Sequence, residues 1–156
     1  MYIIFYLTQD INEFDFDNIL TEEELYELMI PYGVDYVSKT EDLEEDVKFL
    51  ERLYKNVKAE KIKNNIFKIK KDELIKALTR EKNNRLRKVK EMINEIDRKK
   101  INVSSWSIAY VMYNQKGFFF YLEDYGLMNE MDLLDSFLQN FKSDYIYIVA
   151  SFGYHI

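Results

Sequence analysis

Carboxylates are the most plentiful reactive groups in this chain, and in two places they crowd together. Asp10, Glu13, Asp15 and Asp17 lie close to one another near the start, and Glu123 and Asp124 are adjacent after an apolar run. Carboxylates that converge on two divalent ions about 4 Å apart support phosphodiester cleavage. A metal-dependent nuclease is therefore one reading of these acids. They do not have the spacing of a calcium loop, since its glycine and terminal glutamate are missing. Ser104, Ser105 and Ser107 are candidate nucleophiles, but a serine needs an activating base. The one imidazole, His155, stands next to the last residue, where an exposed side chain is expected. There is no cysteine, which excludes a thiol nucleophile, a disulfide framework, Cys-ligated zinc and iron–sulfur clusters. The four glycines, Gly33, Gly117, Gly126 and Gly153, are scattered. They build no phosphate-cradling loop, and neither a P-loop nor a His-Glu-x-x-His pattern is present. The expectation is a protein without catalytic residues, cofactor or metal.

Charge is more informative than any motif. The chain of 156 residues has a net charge of −6, and that figure hides a strong segregation. Residues 1–47 hold 14 acids and one base, Lys39; residues 48–100 hold 19 bases and 8 acids; the remainder holds 2 bases and 6 acids. Aromatic residues follow another division, at 8, 3 and 14 in the same three stretches. Either the acidic and basic segments pack side by side and cancel, or one of them meets a partner of opposite sign. Ile, Asn, Lys and Tyr far outnumber Ala, Gly and Pro, the pattern of an AT-rich genome such as those of many low-GC bacteria and their phages.

Two charged sets are candidate contact surfaces. The first is acidic: Glu22, Glu23, Glu24 and Glu27 in one helix, and Glu41, Asp42, Glu44, Glu45 and Asp46 at the start of another. Carboxylates spaced along rigid helices can imitate the phosphates of a strand. They would occupy the basic groove of a nucleic-acid-handling protein, a nuclease or effector complex, with opposite charges speeding encounter. The second set is basic: Lys82, Arg85, Arg87, Lys88 and Lys90, within a helical stretch over 82–100, for direct contact with nucleic acid. Few aromatics accompany those cations, so base stacking is poorly supplied. The reading preferred from sequence is a non-enzymatic inhibitor acting through the acidic set. A phage or mobile-element anti-defence protein of the anti-CRISPR kind fits the size and acidity, and a toxin-neutralising immunity protein fits equally well. The nucleic-acid-binding accessory protein and the metal-dependent nuclease are the alternatives.

The elements that must position these groups are legible in outline. Residues 2–8 are apolar on both faces and predict a buried strand. Thr21 followed by Glu24 is a capping box, and Leu25, Leu28 and Met29 continue at helical spacing. Thr40 is expected to cap a second helix with a stripe of Leu43, Val47, Leu50, Leu53 or Tyr54, and Val57. Residues 66–70 suggest a short strand. Asp72 then opens a helix running to about Lys99, which Asn83 and Asn84 could break. Residues 106–113 and 118–123 predict a β-hairpin turning over Asn114, Gln115, Lys116 and Gly117. Met131, Leu133, Leu134, Phe137, Leu138 and Phe141 predict a helix. Residues 145–152 predict a last strand, with Ile146, Ile148 and Ala150 on one face. These elements predict an α+β fold in one domain, 1–156. Its small antiparallel sheet would join the N-terminal strand to the C-terminal hairpin and strand. The middle would be helical and charged, forming a helical subdomain over 40–100. No apolar run reaches the roughly 20 residues of a membrane helix, and the start lacks the features of a signal peptide. A cytoplasmic location without membrane contact is expected.

Overall fold

The computed structural model describes residues 2–99, 105–113 and 118–156. Its strands are β1 (Tyr2–Thr8), β2 (Tyr36–Lys39), β3 (Glu60–Lys63), β4 (Ile66–Lys70), β5 (Phe118–Leu122), β6 (Gly126–Asn129) and β7 (Tyr145–His155). They form one sheet in the order β3-β4-β7-β1-β5-β6, with β2 also pairing to β7. The helices are α1 (Glu22–Met29), α2 (Leu43–Leu53), α3 (Lys71–Lys99), α4 (Ser105–Tyr113) and the short α5 (Glu130–Asp132). The chain is α+β as expected, but the sheet is larger than expected and mixed. β1 and β5 run parallel, in register from Ile3 opposite Phe118 to Leu7 opposite Leu122. A parallel neighbour needs a long crossover, and here most of the chain lies between the two strands.

Apolar clusters cover both faces of the sheet, which explains why β1 is apolar on both sides. On one face Phe5, Leu7, Phe118, Phe120, Ile146 and Ile148 meet α2, the start of α3 and the segment after α5. On the other, Ile4, Tyr6, Phe119 and Phe152 meet Leu25 and Met29 of α1. The Phe118, Phe119, Phe120 run is thus core on both faces rather than a contact surface. Phe5 is fully buried, with its ring 5.2 Å from that of Phe118 and 6.2 Å from that of Phe120. Truncating it to alanine would cost about 3–5 kcal/mol.

β7 changes face partway along. Tyr6 pairs with Ala150 but Leu7 pairs with Ile148, so Val149 is an inserted bulge residue. Ile146 and Ile148 therefore face one core, while Ala150 joins Phe152 and Tyr154 in the other. The expected grouping of Ala150 with the two isoleucines fails at this bulge.

Two further expectations are corrected. Residues 105–113 are helix α4, not a strand, and α4 packs on α3. A helix partner decided the outcome for a run whose residues also suit a strand. The expected turn over 114–117 lies outside the described residues. The hairpin involving β5 is made with β6 instead, over Glu123, Asp124 and Tyr125. Asp124 (φ 70°) and Gly126 (φ 91°) take left-handed backbone there. At Asn83 and Asn84 the helix does not break, and α3 is continuous for 29 residues. Asparagine costs an exposed helix only several tenths of a kcal/mol, and Asn84 Oδ1 accepts a bond from Arg87 Nη2 at 3.2 Å.

The capping box of α1 forms as read: Thr21 accepts from Glu24 N–H, and Glu24 accepts from Thr21 N–H. α2 is capped by Asp42 rather than Thr40, through a 3.1 Å bond from Glu45 N–H. Thr40 N–H instead donates to Ser151 O at 2.9 Å and ties this segment to β7. After α5 the helix widens to a π turn over Leu133–Phe137, where Leu138 N–H donates to Leu133 O. The five-residue step places both leucines in the core. Within 40–100, β3 and β4 are strands of the main sheet, and α2 and the start of α3 share its core.

Candidate interaction surfaces

α1 and α2 pack on opposite faces of the sheet, yet both begin at the same edge. The outer side of β7 is paired to β4 over its first residues and to β2 over its last. Between them lies a cavity of about 490 Å³, lined by Glu22, Lys39, Glu41, Asn65, Val149 and Ser151 among others. Acids from the two helix starts thus converge there. Glu22 accepts the backbone N–H of Lys39 at 2.8 Å, which fixes α1 to β2.

Several of the acids singled out from sequence have local partners. Glu24 and Asp42 are caps. Glu44 pairs with Lys48 at 3.3 Å and Lys61 at 3.0 Å. Hydrogen bonds from Lys61, then Lys48, hold its carboxyl below the usual range. Glu45 meets Arg52 at 3.4 Å. Glu23, Glu27 and Glu41 are exposed and have no partner among the described residues. Asp46 leaves the set altogether. It is buried under α2, where Ser151 Oγ donates to its Oδ2 at 2.6 Å. Its position between Leu43 and Leu50 puts it on the apolar stripe of the helix, so a partner cannot reach it.

Side-by-side cancellation of the two charged segments is not what the structure shows. Among the described residues, only Glu44 and Glu45 of the N-terminal acids form ion pairs with the basic stretch. Asp35 meets His155, whose ring also stacks on Tyr36. The other N-terminal acids, Asp46 excepted, lie exposed, and residues 1–47 contain a single base, Lys39.

The basic set is rearranged more drastically. Lys82 is paired with Asp135 at 2.9 Å. Arg85 is buried, with a side chain only 3% exposed, and cannot reach a phosphate. Its Nη2 meets Glu130 Oε1 at 2.9 Å, its Nε meets Glu81 Oε1 at 3.1 Å, and its Nη1 donates to Met112 O at 2.9 Å. Tyr54 Oη completes the cluster by donating to Glu130 Oε2. Burial, then the Glu130 charge, pushes the Tyr54 hydroxyl far up. Burial also raises the Glu130 carboxyl, against the opposing pull of Arg85. Arg85 thus docks α3 and α4 onto the body, a role the charge run concealed. Arg87, Lys88 and Lys90 remain exposed.

The candidate catalytic acids separate into two groups. Asp10, Glu13, Glu123 and Asp124 line a cavity of about 250 Å³ beyond the C-terminal ends of β1 and β5. Burial, then Asp124 and Asp15, raises the Glu123 carboxyl. Asp15 and Asp17 belong to the adjacent short 3-10 turn, which Asp15 caps. Among the described residues no three carboxylate or imidazole groups are placed to hold a metal ion. Ser107 lies in α4, and Ser104 is outside the described residues. No protein-family model, curated protein or solved structure matches this chain.

Proposed function

We propose that this is a non-enzymatic protein-binding inhibitor. It presents the acidic edge at the starts of α1 and α2 to a cationic groove, of the kind found in a nuclease or effector that handles nucleic acid. The observation that carries this reading is the uncompensated charge of residues 2–47, which the basic stretch leaves almost wholly unpaired. Glu23 and Glu41 are the contact residues at that edge, with Glu27 further along α1 and Glu22, Glu24, Asp42, Glu44 and Glu45 reinforcing their field. Sequestering a basic groove needs no chemistry, only density of charge and a rigid frame, and two capped helix starts supply both. An anti-defence protein of a phage or mobile element is the setting that suits such an inhibitor.

The test uses a labelled oligo-arginine peptide as a stand-in for the groove. Fluorescence anisotropy should show micromolar binding at about 50 mM salt that weakens strongly by about 200 mM, since surface pairing is screened over that range. Absence of binding at the lower salt would contradict the proposal.

A further inference from the structure

One face of α3 carries a line of exposed cations. Lys76, Arg80, Arg87, Lys90 and Arg98 recur along it, and Asn83 and Asn94 fill the turns between them. Successive members are three or four residues apart, so at 3.6 residues per turn they stand in one line. All seven are exposed. Between Lys76 and Arg98 the line contains no acid, though exposed Asp72 stands one turn before it and exposed Glu91 beside it, and none of the five cations forms an ion pair with a described residue. The opposite face holds buried Leu74, Leu78 and Arg85 and half-buried Val89, Met92 and Ile96. The helix is therefore anchored on one side and presents a straight cationic ridge on the other. From Lys76 to Arg98 the ridge is about 33 Å long at 1.5 Å per residue.

We infer that this ridge binds the phosphate backbone of duplex nucleic acid. A polyanion suits this ridge: five cations that form no ion pair with a described residue would release the counterions condensed on a line of phosphates. A rigid ridge of this length matches about one turn of B-form duplex, roughly 34 Å. The ridge carries no aromatic side chain, so it offers no stacking platform for the bases of a single strand. The two asparagines add neutral hydrogen-bonding groups where the cations leave gaps. The residues differ from those first suggested by the charge run: Lys82, Arg85 and Lys88 drop out, while Lys76, Arg80 and Arg98 enter. The inference stands apart from the acidic-edge reading, since it uses none of the same residues.

The experiment is anisotropy of a labelled DNA duplex of roughly 20 base pairs, two helical turns, titrated with the full chain at several salt concentrations. Five phosphate contacts predict a log–log salt slope of about −4.5 and about 500-fold weaker binding at 200 than at 50 mM salt. The variant Arg80→Gln/Arg87→Gln/Lys90→Gln gives up roughly one phosphate for each cation replaced. It should lower that slope to about −2 and weaken low-salt binding by more than about tenfold. Its circular dichroism should be unchanged, because all three side chains are exposed. A matched variant, Lys55→Gln/Lys58→Gln/Lys63→Gln, removes equal charge off the ridge and should bind as the parent does. No duplex binding at low salt overturns the inference, and so does an equal loss in the matched variant. Tighter binding of a single strand overturns the choice of a duplex. Self-association that the ridge variant abolishes, without duplex binding, assigns the ridge to the acidic surface of a second copy and likewise overturns it.

Discussion

Arg85 and Glu130 meet at 2.9 Å inside the protein, with side chains 3% and 6% exposed. The pair joins α3 to α5 where α2 ends at Tyr54. Removing one member strands the charge of the other. Arg85→Met should therefore cost about 3–5 kcal/mol in urea denaturation. The double variant Arg85→Met/Glu130→Leu should recover at least half of that loss, because an apolar replacement of both charges is close to neutral. A double variant as unstable as the single one would show that Arg85 acts through something other than this pair.

The same carboxyl sets a pH dependence. Burial raises the Glu130 carboxyl above its unfolded value, with Arg85 opposing. A group whose folded form holds its proton more tightly stabilises the fold below its unfolded pKa, about 4.3. That contribution is lost as pH rises through the raised value. Glu130→Gln removes the titration. Parent stability relative to this variant should therefore fall as pH rises above the unfolded value of about 4.3, as read from urea midpoints. A relative stability that rises over that range would mean that Arg85 outweighs burial.

Asp46 and Ser151 form a separate buried contact, 2.6 Å long, between α2 and β7. A hydrogen bond to a carboxylate contributes about 1.5–3 kcal/mol. Ser151→Ala should lower stability by that amount. Asp46→Asn should lower stability as well, yet leave oligo-arginine binding within about twofold, since surface attraction depends on exposed charge. Loss of that binding would return Asp46 to the contact surface.

Continuity of α3 through Asn83 is testable by propensity. Asn83→Ala should stabilise the protein by about 0.5 kcal/mol, and Asn83→Pro should destabilise it by about 3 kcal/mol or more. A turn at this position would reverse the first sign, because asparagine then suits the left-handed backbone better than alanine.

The capping box at Thr21 and the buried strand β1 were legible because each is a local pattern. α4 was not, since its aromatic and β-branched residues suit a strand equally well and its helix partner lies elsewhere in the chain. The face change of β7 depends on the Val149 bulge, which is set by the pairing with β1. The charged surfaces were visible as runs, but runs do not say which side chain points inward. Arg85 falls seven residues after Leu78 and four before Val89, so helical spacing alone places it on the apolar stripe. Asp46 sits three residues after Leu43 and four before Leu50, with the same consequence. The line from Lys76 to Arg98 was hidden by the apparent break at Asn83 and Asn84, which divided one face into two short clusters.

In the proposed inhibitor a particular acidic edge, rather than net charge, makes the contact. Glu23→Lys/Glu27→Lys/Glu41→Lys tests it against Glu13→Lys/Glu91→Lys/Asp144→Lys, a set of equal charge at exposed sites elsewhere. Both are titrated against the labelled oligo-arginine peptide at about 100 mM salt, where the Debye length is about 10 Å. The first variant should bind at least about tenfold more weakly than the parent, and the second should stay within about threefold of it. Equal losses in the two variants would contradict the assignment of the contact to that edge, leaving an acidic protein without a defined contact surface.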